Sequence, residues 1–157
     1  MIRADCTISK LQPGNNLPFD LLLWADETIE AIEKYIYNSD VYVVKKKGDS
    51  RPIAVFALYR VSDTQIEIKN IAVLESLRGR GIGSYLLDEI RRMAETAKYK
   101  SIIVGTPDCS LKQILFYEKN GFTKYDVIKD FFVKNYSEPI IENGVMLRDM
   151  VMLKLDL

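Results

Sequence analysis

Ile71-Ala72-Val73-Leu74-Glu75-Ser76-Leu77-Arg78-Gly79-Arg80-Gly81-Ile82-Gly83-Ser84 changes character twice within fourteen residues. An apolar run that reads as strand ends at Val73, a short polar loop follows, and glycines at 79, 81 and 83 lead into a helical pattern. Ile82, Tyr85, Leu86, Ile90, Met93, Ala94 and Ala97 fall on one helical stripe, with Asp88, Arg91, Arg92 and Glu95 elsewhere. Glycines lack the Cβ that keeps a ligand away from the backbone, so amide N–H groups can turn toward it. The unpaired amides and positive dipole end of the helix then form an anion site suited to a pyrophosphate. Arg78 and Arg80 add formal charge, and residues 69 to 100 hold seven basic side chains against four acidic ones.

Neither of two familiar phosphate motifs fits. A dinucleotide fingerprint puts glycine where this chain has Ser84 or Leu86. A P-loop needs a Gly-Lys-Ser/Thr that does not occur. The spacing is Arg-x-x-Gly-x-Gly.

Outward from this stretch, hydrophobic period and turn residues predict the other elements. A strand over Ala4–Leu11 is followed by helices over Pro18–Ala25 and Thr28–Tyr37, the second capped by Asp26. Val41–Lys46, Ile53–Val61 and Gln65–Val73 read as three successive antiparallel strands. After the long helix come a strand at 101–105 and a helix over Leu111–Lys119, closed by Asn120-Gly121. Phe122–Ile128 and Met146–Leu155 read as closing strands, joined by an unusually long connection, Lys129–Asn143. The order is that of a mixed α/β layer fold, and a right-handed crossover would set 65–73 parallel to 101–105.

Composition bounds the function. A length of 157 residues with 48% hydrophobic and 28% charged residues suits a single globular domain, 1–157. Lys+Arg and Asp+Glu both total 22, which argues against a nucleic-acid partner. Apolar stretches such as Leu21–Ala25 fall short of the roughly 20 residues of a membrane span. Arg3, Asp5 and Lys10 break any signal-like run, and two cysteines supply neither a disulfide framework nor a zinc site, so a cytoplasmic protein without a metal is expected. The absence of histidine removes every imidazole-based triad or zinc helix. Acid–base chemistry must run on Asp, Glu, Tyr, Lys, Cys or solvent.

The glycine loop resembles the coenzyme-A pyrophosphate loop of the GCN5-related N-acetyltransferase (GNAT) superfamily. Leu115-Phe116-Tyr117-Glu118-Lys119-Asn120-Gly121-Phe122 resembles the same family's later segment, in which a helical tyrosine precedes a Gly-Phe at the next strand. The similarity is clear over residues 64 to 126. Glu138–Gly144 and Arg148–Val151 are similar to a little-characterised bacterial branch.

The resemblance implies an α/β (α+β) fold: a single mixed, mostly antiparallel sheet with helices on both faces. It implies acetyl-CoA as co-substrate and a primary amine acceptor, on a small molecule, peptide or protein, acetylated by direct transfer in a ternary complex. A non-catalytic acyl-CoA sensor on the same fold is the alternative. Backbone groups of Ile71, Ala72 and Val73 would pair with the pantetheine arm, while their side chains serve as core. The loop Arg78, Gly79, Arg80, Gly81, Ile82, Gly83 and Ser84 would hold the pyrophosphate. Ser110 stands where many members have a coenzyme-contacting asparagine, and could equally be only a helix cap. Tyr117 matches the family's candidate general acid. With a tyrosine pKa near 10 and a thiol near 8.5, full proton transfer is uphill by roughly 2 kcal/mol, so hydrogen bonding to the leaving thiolate is the safer role.

Glu67 occupies a place where some members carry a water-relaying carboxylate, with a water chain or backbone carbonyl as rival base. Cys109 has no histidine to activate it as a nucleophile. The 129–143 connection carries Phe131, Phe132, Tyr136, Asp130, Glu138 and Glu142, either an aromatic and acidic acceptor pocket or core closure with solvated acids. A homodimer is expected only because that assembly is common.

Overall fold

The strand Gln65–Val73 (β4) alternates strictly, with Ile66, Ile68, Asn70 and Ala72 buried and the residues between them half-buried. Its pairing with Pro52–Arg60 (β3) is not regular: Ile68 faces Leu58 and Asn70 faces Ala57, so Lys69 is an extra residue without an opposite number. This β-bulge exchanges the two faces of the strand. Before it, Ile66 and Ile68 join the larger core cluster; after it, Ile71 and Val73 pack against that cluster and Ala72 joins the smaller one.

The computed structural model describes residues 5–157. Seven strands form one sheet in the order β1-β2-β3-β4-β5-β9-β6. The remaining members are β1 (Cys6–Lys10), β2 (Asp40–Lys46), β5 (Ser101–Pro107), β6 (Thr123–Ile128) and β9 (Met150–Asp156). All neighbours are antiparallel except β4 and β5, which run parallel across the crossover helix. That exception matches the expected topology. A separate two-stranded hairpin joins β7 (Ile141–Glu142) and β8 (Val145–Met146), with Asn143 and Gly144 both at positive φ, the backbone a tight hairpin turn needs.

Helices cover both faces. The crossover helix α3 (Ile82–Thr96) and α4 (Leu111–Lys119) bury Leu86, Ile90, Ile114 and Tyr117 in the larger cluster. The short helices α1 (Phe19–Leu22) and α2 (Ile29–Glu33) cover the other face through Leu21, Leu22 and Ile32.

Several boundaries differ from those expected. The first strand begins at Cys6 among the described residues, and Ala4 lies outside them. The helix over 28–37 is divided: α2 ends at Glu33 and a 3₁₀ turn occupies Ile36–Asn38. Tyr35 between them leaves helical geometry at φ −129° and ψ −23°, and its hydroxyl is held by Asp26 and Asn70. The cap is Thr28, whose Oγ1 accepts the Ala31 N–H at 3.1 Å; Asp26 is committed elsewhere. The 129–143 connection holds a short helix, α5 (Phe131–Asn135), and the first hairpin strand. The closing strand starts at Met150, because Val145–Met146 turn into the hairpin and the Leu147 amide donates to the Ile140 carbonyl at 2.8 Å.

Ile90 is fully buried between α3 and the sheet. Ile90→Ala should cost about 2–5 kcal/mol by leaving a cavity, read as a lower urea midpoint at unchanged slope.

Candidate active site

The parallel ladder between β4 and β5 runs only from Gln65–Ser101 to Ile68–Val104. Beyond the bulge the strands diverge, and the gap widens into a cavity of about 550 Å³. Lys69 to Val73 line it from β4, and Val104 to Pro107 from β5. Among the described residues the β5-facing edge of β4 from Lys69 onward has no strand partner, so backbone donors and acceptors face the gap. At Gly105 a Cβ would overlap the Met150 thioether, which also lines the cavity.

One wall is the glycine loop. Gly79 and Gly81 adopt left-handed φ values of +75° and +81°, with open space where a Cβ would stand. Gly81 is the N-cap of α3 and no side chain caps the helix. The amides of Ile82, Gly83 and Ser84 therefore have no intrahelical acceptor. Gly83 differs from the other two: it is helical, and a Cβ there would press on the Phe116 ring at 3.0 Å. Its lack of a side chain serves helix packing as well as ligand approach.

Arg78 lines the cavity, its Nε donating to the Val73 carbonyl at 3.3 Å and its guanidinium 4.9 Å from the Trp24 ring centre. Arg80 is exposed and does not line the cavity. The Ser84 hydroxyl accepts from the Asn120 side-chain amide at 3.3 Å, tying the start of α3 to the end of α4. Ser110 is the N-cap residue of α4, yet its side chain makes no cap hydrogen bond and the residue lines the cavity. Capping by its hydroxyl is thus ruled out as the explanation of this serine.

Tyr117 projects from α4 into the same cavity, 6% exposed, with its ring edge-on to Phe116 and Phe122 at 5.2 and 5.7 Å. Burial alone pushes its pKa well above the usual tyrosine range, and its hydroxyl has no hydrogen-bond partner among the described residues. It is a neutral donor at any ordinary pH.

The opposing wall comes from the α1–α2 turn, α5 and the β7–β8 hairpin. It carries Trp24, Asp26, Glu27, Phe132, Tyr136 and Glu142. Asp26 accepts hydroxyl hydrogen bonds from Tyr136 at 2.5 Å and Tyr35 at 3.1 Å. The Asn70 side-chain amide donates to Tyr35 Oη at 3.1 Å and to the Leu22 carbonyl at 3.0 Å, leaving Asn70 Oδ1 buried and unpaired. Burial and a shared hydrogen bond with the Glu142 carboxyl push Glu27 up to about 7.

Of the connection residues singled out from sequence, Phe132, Tyr136 and Glu142 reach the cavity. Asp130 instead pairs with Arg148 at 3.1 Å, and Glu138 lines a neighbouring hollow shared with Glu27 and Tyr136. Phe131 packs edge-on against Phe132. Glu67 does not line the cavity: its carboxylate is held by Lys69 Nζ at 3.3 Å, and it is Lys69 that faces the gap. Cys109 is exposed and off the cavity wall, its thiol pushed up by burial and Asp108. Sequence reasoning missed Asp26 and Glu27 as wall residues. Two adjacent acids directly after the apolar run Leu21–Ala25 are the available signal, although the helical pattern behind Asp26 makes it read as a cap.

Among the described residues no helix is long and apolar enough to cross a membrane, and no group of three or more His, Cys, Asp or Glu side chains is arranged around a metal.

Comparison with known proteins agrees with this geometry. Residues 37–124 match the family model for the acetyltransferase (GNAT) domain. The chain is 36% identical over 143 residues to the uncharacterized N-acetyltransferase YvbK of Bacillus subtilis (strain 168), covering 91% of each protein. Among solved structures, a GNAT family acetyltransferase from Elizabethkingia anophelis with acetyl-CoA bound superposes with a TM-score of 0.91 at 38% identity, over 98% of this chain and 99% of that one. The IAA acetyltransferase from Bacillus cereus ATCC 14579 gives 0.87 at 36% identity, over 97% and 99%. With its splayed strands, glycine loop and buried tyrosine meeting in one cavity, the chain belongs to the GNAT family of acetyltransferases.

Proposed function

We propose that this enzyme moves the acetyl group of acetyl-CoA onto a primary amine of a small molecule, peptide or protein by direct attack in a ternary complex. The observation that carries the reading is the gap opened after Ile68. It runs from a helix start without a side-chain cap, where an anion is favoured, to the buried Tyr117, whose hydroxyl makes no hydrogen bond among the described residues. A relative at 38% identity holds acetyl-CoA in its crystal structure.

The residues present fit such a carrier. The amides of residues 82 to 84, with Gly79 and Gly81 free of Cβ atoms and Arg78 beside them, suit a diphosphate. The open edge of Ile71, Ala72 and Val73 offers donors and acceptors at strand spacing, matched to the amides of a pantetheine arm. Ser110, its hydroxyl unused in capping, adds a polar contact. Arg80 acts at most through its charge in the loop.

The reaction joins nitrogen to the thioester carbonyl carbon and breaks the carbon–sulfur bond. The chain positions both reactants, and Tyr117 donates a hydrogen bond to the sulfur as negative charge develops. Because burial raises the Tyr117 pKa, its proton is held firmly. Stabilising the thiolate through that hydrogen bond is then its main contribution.

A thiol-release screen across amine classes with acetyl-CoA should find at least one acceptor; coenzyme binding without release by any amine would favour a silent sensor. Gly81→Val forces a branched residue into left-handed backbone, costing roughly 1–2 kcal/mol locally. It should abolish acetyl-CoA binding in calorimetry while the protein stays folded. Tyr117→Phe should lower kcat and kcat/KM together by about 10²-fold, with acetyl-CoA affinity little changed.

A further inference from the structure

The amine that attacks a thioester must first lose a proton, and the cavity holds a site for it that the loop and tyrosine motifs do not indicate. We infer that Glu27 and Glu142 form the proton acceptor for the acceptor's ammonium group. This rests on the amine-acetylation reading above.

Three observations support it independently of charge counting. Glu27 and Glu142 line the same cavity as the buried residue Tyr117, whose hydroxyl makes no hydrogen bond among the described residues. The wall that bears them is braced by a hydrogen-bonded chain, Asn70 to Tyr35 to Asp26 to Tyr136, spanning three separate parts of the sequence. Glu67, the sequence candidate, stays off the cavity and is neutralised by Lys69.

The charged and titratable groups lining the cavity and the adjoining hollow around Glu27 are Glu142 on β7, Asp26 beside it, Tyr136 after α5, Glu30 on α2, Glu138 in the loop before β7, Lys69 on β4, Arg78 of the glycine loop and Lys119 of α4. Lys69 is paired with Glu67, and Arg78 lies over the Trp24 ring at the glycine-loop side. Asp26, Glu27 and Glu142 gathered on one wall give an ammonium its counter-charge. Two carboxyls that share a hydrogen bond hold their last proton more tightly than one alone. With Glu27 raised to about 7, it is a stronger base than an ordinary carboxylate near 4.3 and closer to an amine near 10.4. Glu27 also remains solvent-accessible, as a group that must pass its proton on needs to be.

The step balances. The R–NH3+ acceptor gives one proton to Glu27. Its freed lone pair forms the nitrogen–carbon bond as the carbon–sulfur bond breaks. The second proton leaving nitrogen ends on the sulfur beside Tyr117, and the proton on Glu27 passes to water. One amide, one thiol and one proton result from one ammonium and one thioester.

The experiment is the pH profile of kcat/KM for thiol release, with acetyl-CoA and the best primary amine of the screen, for wild type, E27Q, E142Q and E67Q. Acetyl-CoA binding by calorimetry verifies that each is folded. With Glu27 as base, the wild type is half-maximal near pH 7, reaches a plateau about one pH unit higher and falls again as the amine itself deprotonates. E27Q loses 100-fold or more at pH 7.5 and instead rises tenfold per pH unit toward the amine's own pKa, having only free amine to use. E142Q removes the neighbouring negative charge, so the rising limb moves to lower pH. E67Q keeps the wild-type profile. A wild-type profile in E27Q, or loss of the plateau in E67Q alone, would overturn the assignment and leave the acetylation reading standing. No release with any amine would overturn both.

Discussion

One residue without an opposite number in the β3–β4 ladder, Lys69, organises the half of the molecule that holds the cavity. An extra residue on one side of an antiparallel pair bends and twists the strand that carries it. Here the consequence is double. The faces of β4 exchange, so Asn70 and Ala72 turn toward α1 and α2 while Ile71 and Val73 turn toward α3. The parallel ladder to β5 also ends one residue earlier, at Ile68. An unpaired backbone group shut away from water costs about 1–3 kcal/mol, so a gap of this kind persists only if it stays wet or is filled by a partner with matching amides.

The same bulge feeds the second wall. Asn70 is the first residue after it, and its amide reaches the Leu22 carbonyl and the Tyr35 hydroxyl on the far side of the sheet from Tyr117. Tyr35 interrupts the helix it would otherwise continue and passes the contact to Asp26, where Tyr136 from the C-terminal third of the chain arrives. The break in the second helix and the position of α5 are thus two ends of one polar chain. Lys34 adds to it by donating to the Asn135 carbonyl at 2.7 Å.

Local signals made much of this legible in the sequence. The strand 65–73 and the helix 111–119 have the boundaries their periodicity predicts, and the glycine loop sits at a helix start as its spacing requires. The bulge was illegible for a specific reason: residues 66, 68, 70 and 72 are all buried, so the period of two runs unbroken through it. The exchange of faces is visible only in which core each residue enters. Gly83 shares its letter with Gly79 and Gly81 but not their backbone, and its neighbour Phe116 lies on the next helix. Asp26 looked like a cap because local sequence offers it a helix to cap. Its partner Tyr136 is 110 residues away, and no periodicity links the two.

A chain without histidine has no side chain whose unperturbed pKa lies near neutrality, yet amine acetylation needs both a base and a donor there. In the reaction proposed above, the fold would supply them by environment. Burial holds Tyr117 neutral, so in the proposed reaction its hydroxyl would remain a donor toward sulfur. Partial burial beside a second carboxyl moves Glu27 the same way, and for an acid that direction means a better base. Both shifts have burial as the largest cause, and both groups border the cavity opened by the bulge in β4. The geometry that admits a thioester is also what tunes the groups that would act on it, so a change that closed the gap between β4 and β5 would remove binding and chemistry together.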